Sequence, residues 1–489
     1  MKYLRFFLPL FILFCVQLFP QTWGQAHTFF LPRPVSSQLL LVGSNPPVAS
    51  CDKDGSQSCL EHTVFYQESY KGDNTRPYFF GGEKTELRFD QDSKGDINPR
   101  WVHTFAKDGD PLTSVMSIAP QRVSKGVVLS LTQNLSSLHK GAWVRMVVPF
   151  VHATHRLGIT ESMTGTVDES SSFKTITQAL NFENWRFGKW SEKSLTLKGM
   201  DDLLVQAGVD VSSYGLQKYY AELSVPLGNK PTGGYLFEPI TGAGGHAGLG
   251  FGIDSSIPLF KTSQISFSLR NKMQYRYLFS QKQKRTFDLK GQPFSRYLLY
   301  LDTFLGVNTN YFYYGGNGVN FFTRDVLVHP GATGQSVNAL VCTYKNHEFS
   351  LGYGFWWRNS ESVSFTGSRQ REFAVPAKGI PDLGRQWLPS PLVKEPWFAL
   401  HKGTEVAQND AGVVLATAAA DAVQESDLDV QSGSVPFSAS QSFSCSYRGR
   451  FVWQESVVCS LRLGGSYEMA YNAASMNSLS VWATLGLHF

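Results

Sequence analysis

The chain has 489 residues, a formal net charge of +5, a charged fraction of 17% and an aromatic fraction of 14%. So little charge beside so much apolar surface excludes a disordered chain, and collagen, coiled-coil and disulfide-miniprotein compositions are excluded with it. The length suggests about three ordinary domains, unless one large closed sheet takes up the whole chain.

Lys2 and Arg5 precede an apolar stretch from Phe6 to Phe19, and Gly24-Gln25-Ala26 offers small residues at cleavage positions. Residues 1–26 therefore read as a secretory signal peptide. A single uncleaved anchor helix is the competing reading, although the apolar run is short for a bilayer span. Loss of Lys2 and Arg5 lowers the net charge from +5 to +3, too weak a bias to imply a nucleic-acid partner. Residues 27–59 are expected to form a periplasmic N-terminal arm or a small plug. The spacing of Cys51 and Cys59 within it suits a small disulfide loop in an oxidising compartment. Five cysteines follow residue 26, so connectivity is not fixed by counting.

From residue 60 onward the dominant signal is alternation with period two, the pattern of a strand with unlike faces. In 265–277 every odd position except Asn271 is apolar or aromatic, and every even position is polar. Leu203, Val205, Ala207, Val209 and Val211 alternate with Asp202, Gln206, Gly208 and Asp210. Similar runs predict strands at 60–71, 126–136, 141–152, 201–212, 216–226, 245–259, 264–280, 336–345, 347–360, 434–448, 456–471 and 478–489. The connections then alternate in length. Short ones (137–140, 213–215, 260–263, 346, 449–455) are assigned to the periplasm. Longer ones, chiefly 72–125, 153–200, 281–335 and 361–433, are assigned to the outside. That asymmetry, and strands longer than the usual 5–6 residues, fit a transmembrane barrel. The expected fold is an all-β, antiparallel, up-and-down transmembrane β-barrel over 60–489, with about 12 strands (10–14 by count) and long extracellular loops. Trp143, Tyr219, Tyr275, Tyr277, Trp357, Tyr467 and Tyr471 lie near strand ends and read as interfacial girdles. The stretch Ala416 to Ala422 has a helical composition.

The last strand places Phe489, Leu487 and Leu485 on one face and ends on an aromatic residue. It resembles the terminal strand of bacterial outer-membrane β-barrels, which implies that these three residues form the insertion signal read by the barrel-assembly machinery. The runs 199–208, Val225-Pro226-Leu227-Gly228-Asn229-Lys230 and 242–259 are similar to outer-membrane channels for aromatic and other apolar compounds, the fatty-acid-transporter-like group. Leu227 stands where that group usually has Thr. This resemblance implies a channel-type barrel in the bacterial outer membrane.

Alternation directs a set of charged side chains into the lumen: Arg270, Lys272, Arg276, Asp254, Glu222, Arg358, Arg462 and Glu468 are the candidate pore lining. Arg145, Lys218, Arg448, Asp202, Asp210 and Glu348 share that face. Arginine and lysine ladders favour anions, and Arg270, Lys272 and Arg276 would form the strongest such ladder. The competing reading is that these charges pair across the lumen and fill it. Gly242–Gly248 lacks the Lys-Ser/Thr of a phosphate loop, and Asp90–Ile97 has Lys94 where a calcium loop needs an oxygen ligand. No His or Cys spacing suggests a metal site, and no Ser/His pair is placed for catalysis, so neither an enzyme nor a cofactor is expected. The expected partners are outer-membrane lipid, the assembly machinery and a small solute. The expected function is passive uptake of small solutes through an outer-membrane channel, narrowed by 281–335 or by the N-terminal arm. The alternative is a non-conducting surface protein whose loops mediate adhesion or partner binding.

Overall fold

The computed structural model describes residues 26–34 and 58–489, apart from 91–94, 213–215, 303–312, 367–372, 375–406, 409–413, 416–424 and 455–456 and the single positions 98, 103, 105, 106, 108, 170, 172, 184 and 298. The segment 1–25, Cys51 and the stretch Ala416–Ala422 lie outside the described residues.

Twelve antiparallel strands close into a barrel. They are β1 (Cys59–Ser69), β2 (Gln121–Asn134), β3 (Ala142–Arg156), β4 (Leu203–Ser212), β5 (Leu216–Val225), β6 (Gly248–Lys261), β7 (Ile265–Leu278), β8 (Gly331–Tyr344), β9 (His347–Arg358), β10 (Ser438–Gln454), β11 (Val457–Ala470) and β12 (Ser478–His488). Each pairs with its neighbours in sequence, and β1 closes on β12 in the register Cys59↔His488 to Ser69↔Ser478. The seam is tied below the strands by Ser58 N–H to Phe489 O at 2.7 Å and Phe489 N–H to Ser58 O at 3.0 Å. Closure leaves no open sheet edge, the condition for strands to cross a bilayer. Among the described residues no helix is long and apolar enough to cross a membrane.

All twelve expected strands are present. Two begin five residues earlier than the alternation indicated, at Gln121 and Gly331. The β8 extension is small and polar, so its sequence signal is weak. It is held by pairing: Gly334 lies beneath the Trp357 indole, where a Cβ would come within 2.5 Å of the ring.

The apolar face points outward. Leu249, Phe251, Leu351 and Leu479 are each more than half exposed, whereas Glu222, Arg448 and Glu468 on the opposite face are buried. A dry interior between two sheets would show the reverse, so this alternation is that of a transmembrane-type barrel. Tyr219, Tyr275, Tyr277, Tyr467 and Tyr471 are exposed as girdle residues would be. Trp143 is not: it points into the lumen against Tyr220, with ring centroids 5.8 Å apart. It shares the inward face of Arg145 two residues on, and that parity overrides its position near a strand end.

One wall interval is broken. β3 pairs with β4 only from Ala142 to Val147, and above that with Leu195–Met200. Pro149 sits at the break and has no N–H for the ladder. Its carbonyl accepts from Asp201 N–H at 2.9 Å, and Asp201-Asp202 form the interruption between the two paired segments.

The long connections fold into a cap at the end of the barrel opposite the 58/489 seam. It contains one three-stranded sheet of Glu86–Asp90, Thr113–Ile118 and Ile159–Thr164, and a second of Gln281–Thr286, Thr323–His329 and Ser362–Phe365. Tyr78, Phe80, Phe89, Trp185, Trp190, Phe237, Phe287 and Phe322 are almost fully buried in one core.

Candidate functional site: the charged lumen and its plug

Glu222, Asp254, Arg358, Arg462 and Glu468 are buried by the side chains that fill the lumen, and a buried charge needs a partner. The candidate lining residues obey that demand. On β7, Arg270 makes a two-pronged contact to Glu348 on β9, at 2.7 and 2.8 Å. Lys272 lies opposite Asp254 in register, and Asp254 lies opposite Lys218 on its other side. Lys218 also holds Asp210 at 2.8 Å. Arg276 donates twice to Glu222 Oε1, at 2.8 and 2.5 Å, while Gln206 donates to Oε2 at 2.7 Å. The expected ladder of three cations on one strand therefore meets three separate acids. The aromatic pair Trp143–Tyr220 adds bulk, with Tyr220 lying across Gly252 closely enough to exclude any Cβ there.

At the loop end, Arg358 donates to Glu361 at 2.5 Å, and Arg285 reaches the other oxygen of Glu361 at 3.0 Å. Glu361 lies beyond the strands. Burial opposes its ionisation, but Arg285 and Arg358 outweigh it and hold the carboxyl below its ordinary value.

Residues 26–34 enter this end of the lumen. His27 N–H donates to Tyr78 O at 3.0 Å and Glu238 N–H to Phe29 O at 2.8 Å, anchoring the segment in the cap. Phe29 and Leu31 join the cap core. Arg358 then donates to Pro32 O at 3.2 Å. Arg33 forms an ion pair with Glu468 and a hydrogen bond with Ser440, and its guanidinium lies 4.9 Å from the Trp356 ring centroid. The space left beside Pro32, Pro34, Arg276 and Trp356 is about 30 Å³, room for one or two waters.

Buried titratable groups secure the cap above. Arg296 bonds both oxygens of Asp288, at 3.0 and 2.8 Å, and donates to His27 O and Ser432 O. Desolvation and the Arg296 charge push the His27 imidazole down to about 4. His246, bonded to Phe279 O and Gln283, is likewise lowered to about 4 by desolvation and by Arg358. Burial raises the Tyr297 phenol to about 12.

Arg462 donates to the Ser446 hydroxyl, at 3.1 and 3.0 Å. Phe489 and Leu485 are exposed on the outer face of the closing strand, with Leu487 half-buried between them. Cys59 opens β1, with its sulfur 3.9 Å from His488 Nε2. Among the described residues no group of His, Cys, Asp and Glu is arranged to hold a metal. Arg33, Glu361, Arg285 and Glu61 were not singled out by sequence. The first three lie outside the long alternating runs, and the inward parity of Glu61 in β1 was the one available signal.

The closed wall, outward apolar face and paired charges of the lumen define an outer-membrane-type β-barrel. No family model matches the chain, and no curated protein matches it. Among solved structures it is similar to the COG4313 outer membrane channel from Pseudomonas putida F1, at 8% identity and TM-score 0.36, covering 90% of this chain and 99% of that one. It is also similar to a Pseudomonas aeruginosa FadL homologue (9% identity, TM-score 0.28, 95% and 96% covered) and to the TodX deltaS2S3 mutant monoaromatic hydrocarbon channel (8%, 0.28, 91% and 92%).

Proposed function

We propose that the chain is an outer-membrane channel for passive uptake of small solutes, held shut at its loop end by its own residues 26–34. The observation that carries this reading is the Arg33 latch. Arg33 reaches Glu468 and Ser440 on the lumen wall by non-covalent contacts alone, so the segment can withdraw without breaking the barrel. Below it the lumen is lined by polar side chains, with Lys218, Lys272 and Arg276 set against Asp210, Asp254 and Glu222. Outer-membrane lipid surrounds the wall, and Phe489, Leu487 and Leu485 present the closing strand to the assembly machinery.

Planar-bilayer recording tests this. Wild type is expected to conduct rarely, and deletion of 27–34 or Arg33→Ala to give frequent discrete steps. Silence from all three proteins, each verified as folded by heat-modifiable migration, would overturn the channel reading. The second reading, a non-conducting surface protein, is favoured by the cap, whose aromatic core makes the loops a folded body able to present a fixed surface. It expects that silence.

A further inference from the structure

The outward face of the wall changes character sharply over one sector. Across β1, β2, β3 and the segment Leu195–Met200, one row of paired positions reads Val64, Val127, Phe150 and Met200, the apolar surface that meets acyl chains. The next outward row, two residues nearer the cap on each strand, reads Tyr66, Lys125, His152 and Lys198. Lys125 and Lys198 are exposed, and His152 is half-buried between them. Neighbouring strands lie about 4.8 Å apart, so the two lysine stems leave the wall about 10 Å apart. Arg156 is exposed four residues further along β3 on the same face. Lys71 is exposed just beyond β1, its ammonium 5.3 Å from the Tyr70 ring centroid.

Among the described residues, Lys125, Arg156 and Lys198 form no ion pair. Glu68 is the one acid on the outward face of these four segments, and its Oε2 already accepts from the Tyr66 hydroxyl at 2.9 Å. On β6 and β7 the outward positions towards the cap are Leu249, Phe251, Tyr275 and Tyr277, exposed and without charge. The cations therefore gather on one sector and do not ring the barrel. A lysine on the lipid face is costly at the bilayer midplane and nearly free at its edge. There the stem lies along apolar surface while the ammonium reaches the headgroups. A cationic row directly above an apolar row thus stands at headgroup level on the cap side, where phosphate oxygens are the complementary charge.

We propose that this sector of the outer wall is a binding site for a phosphorylated lipid of the outer leaflet, with Lys125 and Lys198 holding its headgroup phosphates and Val64, Val127, Phe150 and Met200 receiving its acyl chains. Arg156 and Lys71 add positive charge on the cap side of the headgroup, and His152 offers a ring nitrogen between the two lysines. The proposal rests on the wall lying in the outer membrane with the cap outward, but not on conduction. The planar-bilayer test and the one below therefore fail separately.

The probe is bisphosphorylated lipid A, added to the full-length barrel in a non-ionic detergent and read by native mass spectrometry. A saturable one-to-one adduct is expected, with none from phosphatidylethanolamine at the same concentration. Lys125→Gln and Lys198→Gln are each expected to weaken the adduct about fivefold, and together about 25-fold. Lys125→Arg, which keeps the charge, should bind as wild type does. Lys140→Gln, exposed in a short turn at the other end of the barrel, should also leave binding unchanged. Folding of each variant is checked by heat-modifiable migration; should the double variant fail to fold, the single variants decide. Equal binding by wild type and the lysine variants, or an equal adduct with phosphatidylethanolamine, would overturn the proposal. Complete displacement of lipid A by an equimolar amount of inorganic pyrophosphate would overturn it as well, by assigning the cations to a dissolved phosphate.

Discussion

The wall and the cap are built from the same amino acids with opposite sense. In the wall, Leu351 and Phe251 face outward and Glu222 and Arg448 are enclosed. In the cap, Trp190, Phe80 and Phe287 are enclosed, and the Lys284–Asp325 pair lies at the surface. The difference follows from the solvent each region meets. A bilayer removes the driving force for hiding leucine, but penalises every unpaired backbone or charged group. Water restores the drive to bury aromatics. The wall is therefore held by its hydrogen-bond ladder and paired lumen charges, and the cap by a conventional core. The residues 26–34 cross from one regime to the other: Phe29 packs in the aromatic core, and Arg33 four residues later joins an ion pair in the lumen.

The contrast breaks most sharply if the cap can be melted alone. Trp190 stacks on Phe80 at 6.0 Å, and its indole N–H donates to the Tyr297 hydroxyl at 3.2 Å. Trp190→Ala is expected to cost the cap about 4 kcal/mol. The barrel should keep its heat-modifiable migration while limited proteolysis cuts the cap loops. Loss of both together would mean that wall and cap form one cooperative unit.

The two regions also differ in how far the sequence revealed them. The wall was legible because its pattern is local: side-chain period two sorts each strand into two unlike faces without knowledge of the partner strand, and strand length, the leading apolar segment and the closing strand then indicate which face is outward. Even the inward Trp143 was encoded, since it shares parity with Arg145. The lumen charges were legible as positions but not as pairs. Arg276 on β7 finds Glu222 on β5, and Arg270 on β7 finds Glu348 on β9, each skipping a strand. Those distances depend on barrel curvature, which alternation does not report. The cap was legible only as long connections, because its core joins residues far apart in the chain, such as Phe80 with Trp190 and Trp185 with Tyr297. Aromatic clusters such as Phe182–Trp190 offered a clue without a partner.

A smaller effect separates the regions by pH. His27 and His246 are held near 4 in the folded cap against about 6.5 unfolded. Lowered folded values mean that the unfolded chain binds more protons between those limits. Their contribution is thus complete above pH 6.5 and is lost as pH falls towards 4. Each loss amounts to about 3 kcal/mol. Amide exchange in the cap should accelerate across that window and amides of the mid-wall strands should not. His27→Gln is expected to flatten the response in part; an unchanged profile in that variant would remove His27 from the account.

The smallest of these effects is in the wall itself. Leu351 projects from β9 with two-thirds of its surface exposed, and it is paired in register with Leu340 and Cys445. In water such an exposed leucine would be replaceable by arginine at almost no cost. In a bilayer Leu351→Arg is expected to destabilise the barrel by about 2 kcal/mol, more at the midplane than near the headgroups. Reversible denaturant titration in phospholipid vesicles measures it, with Lys284→Ala as the cap-surface comparison expected within about 0.5 kcal/mol of wild type. A neutral Leu351→Arg would place that face in water, and the outward apolar stripe would then have to be explained by burial against another protein instead of lipid.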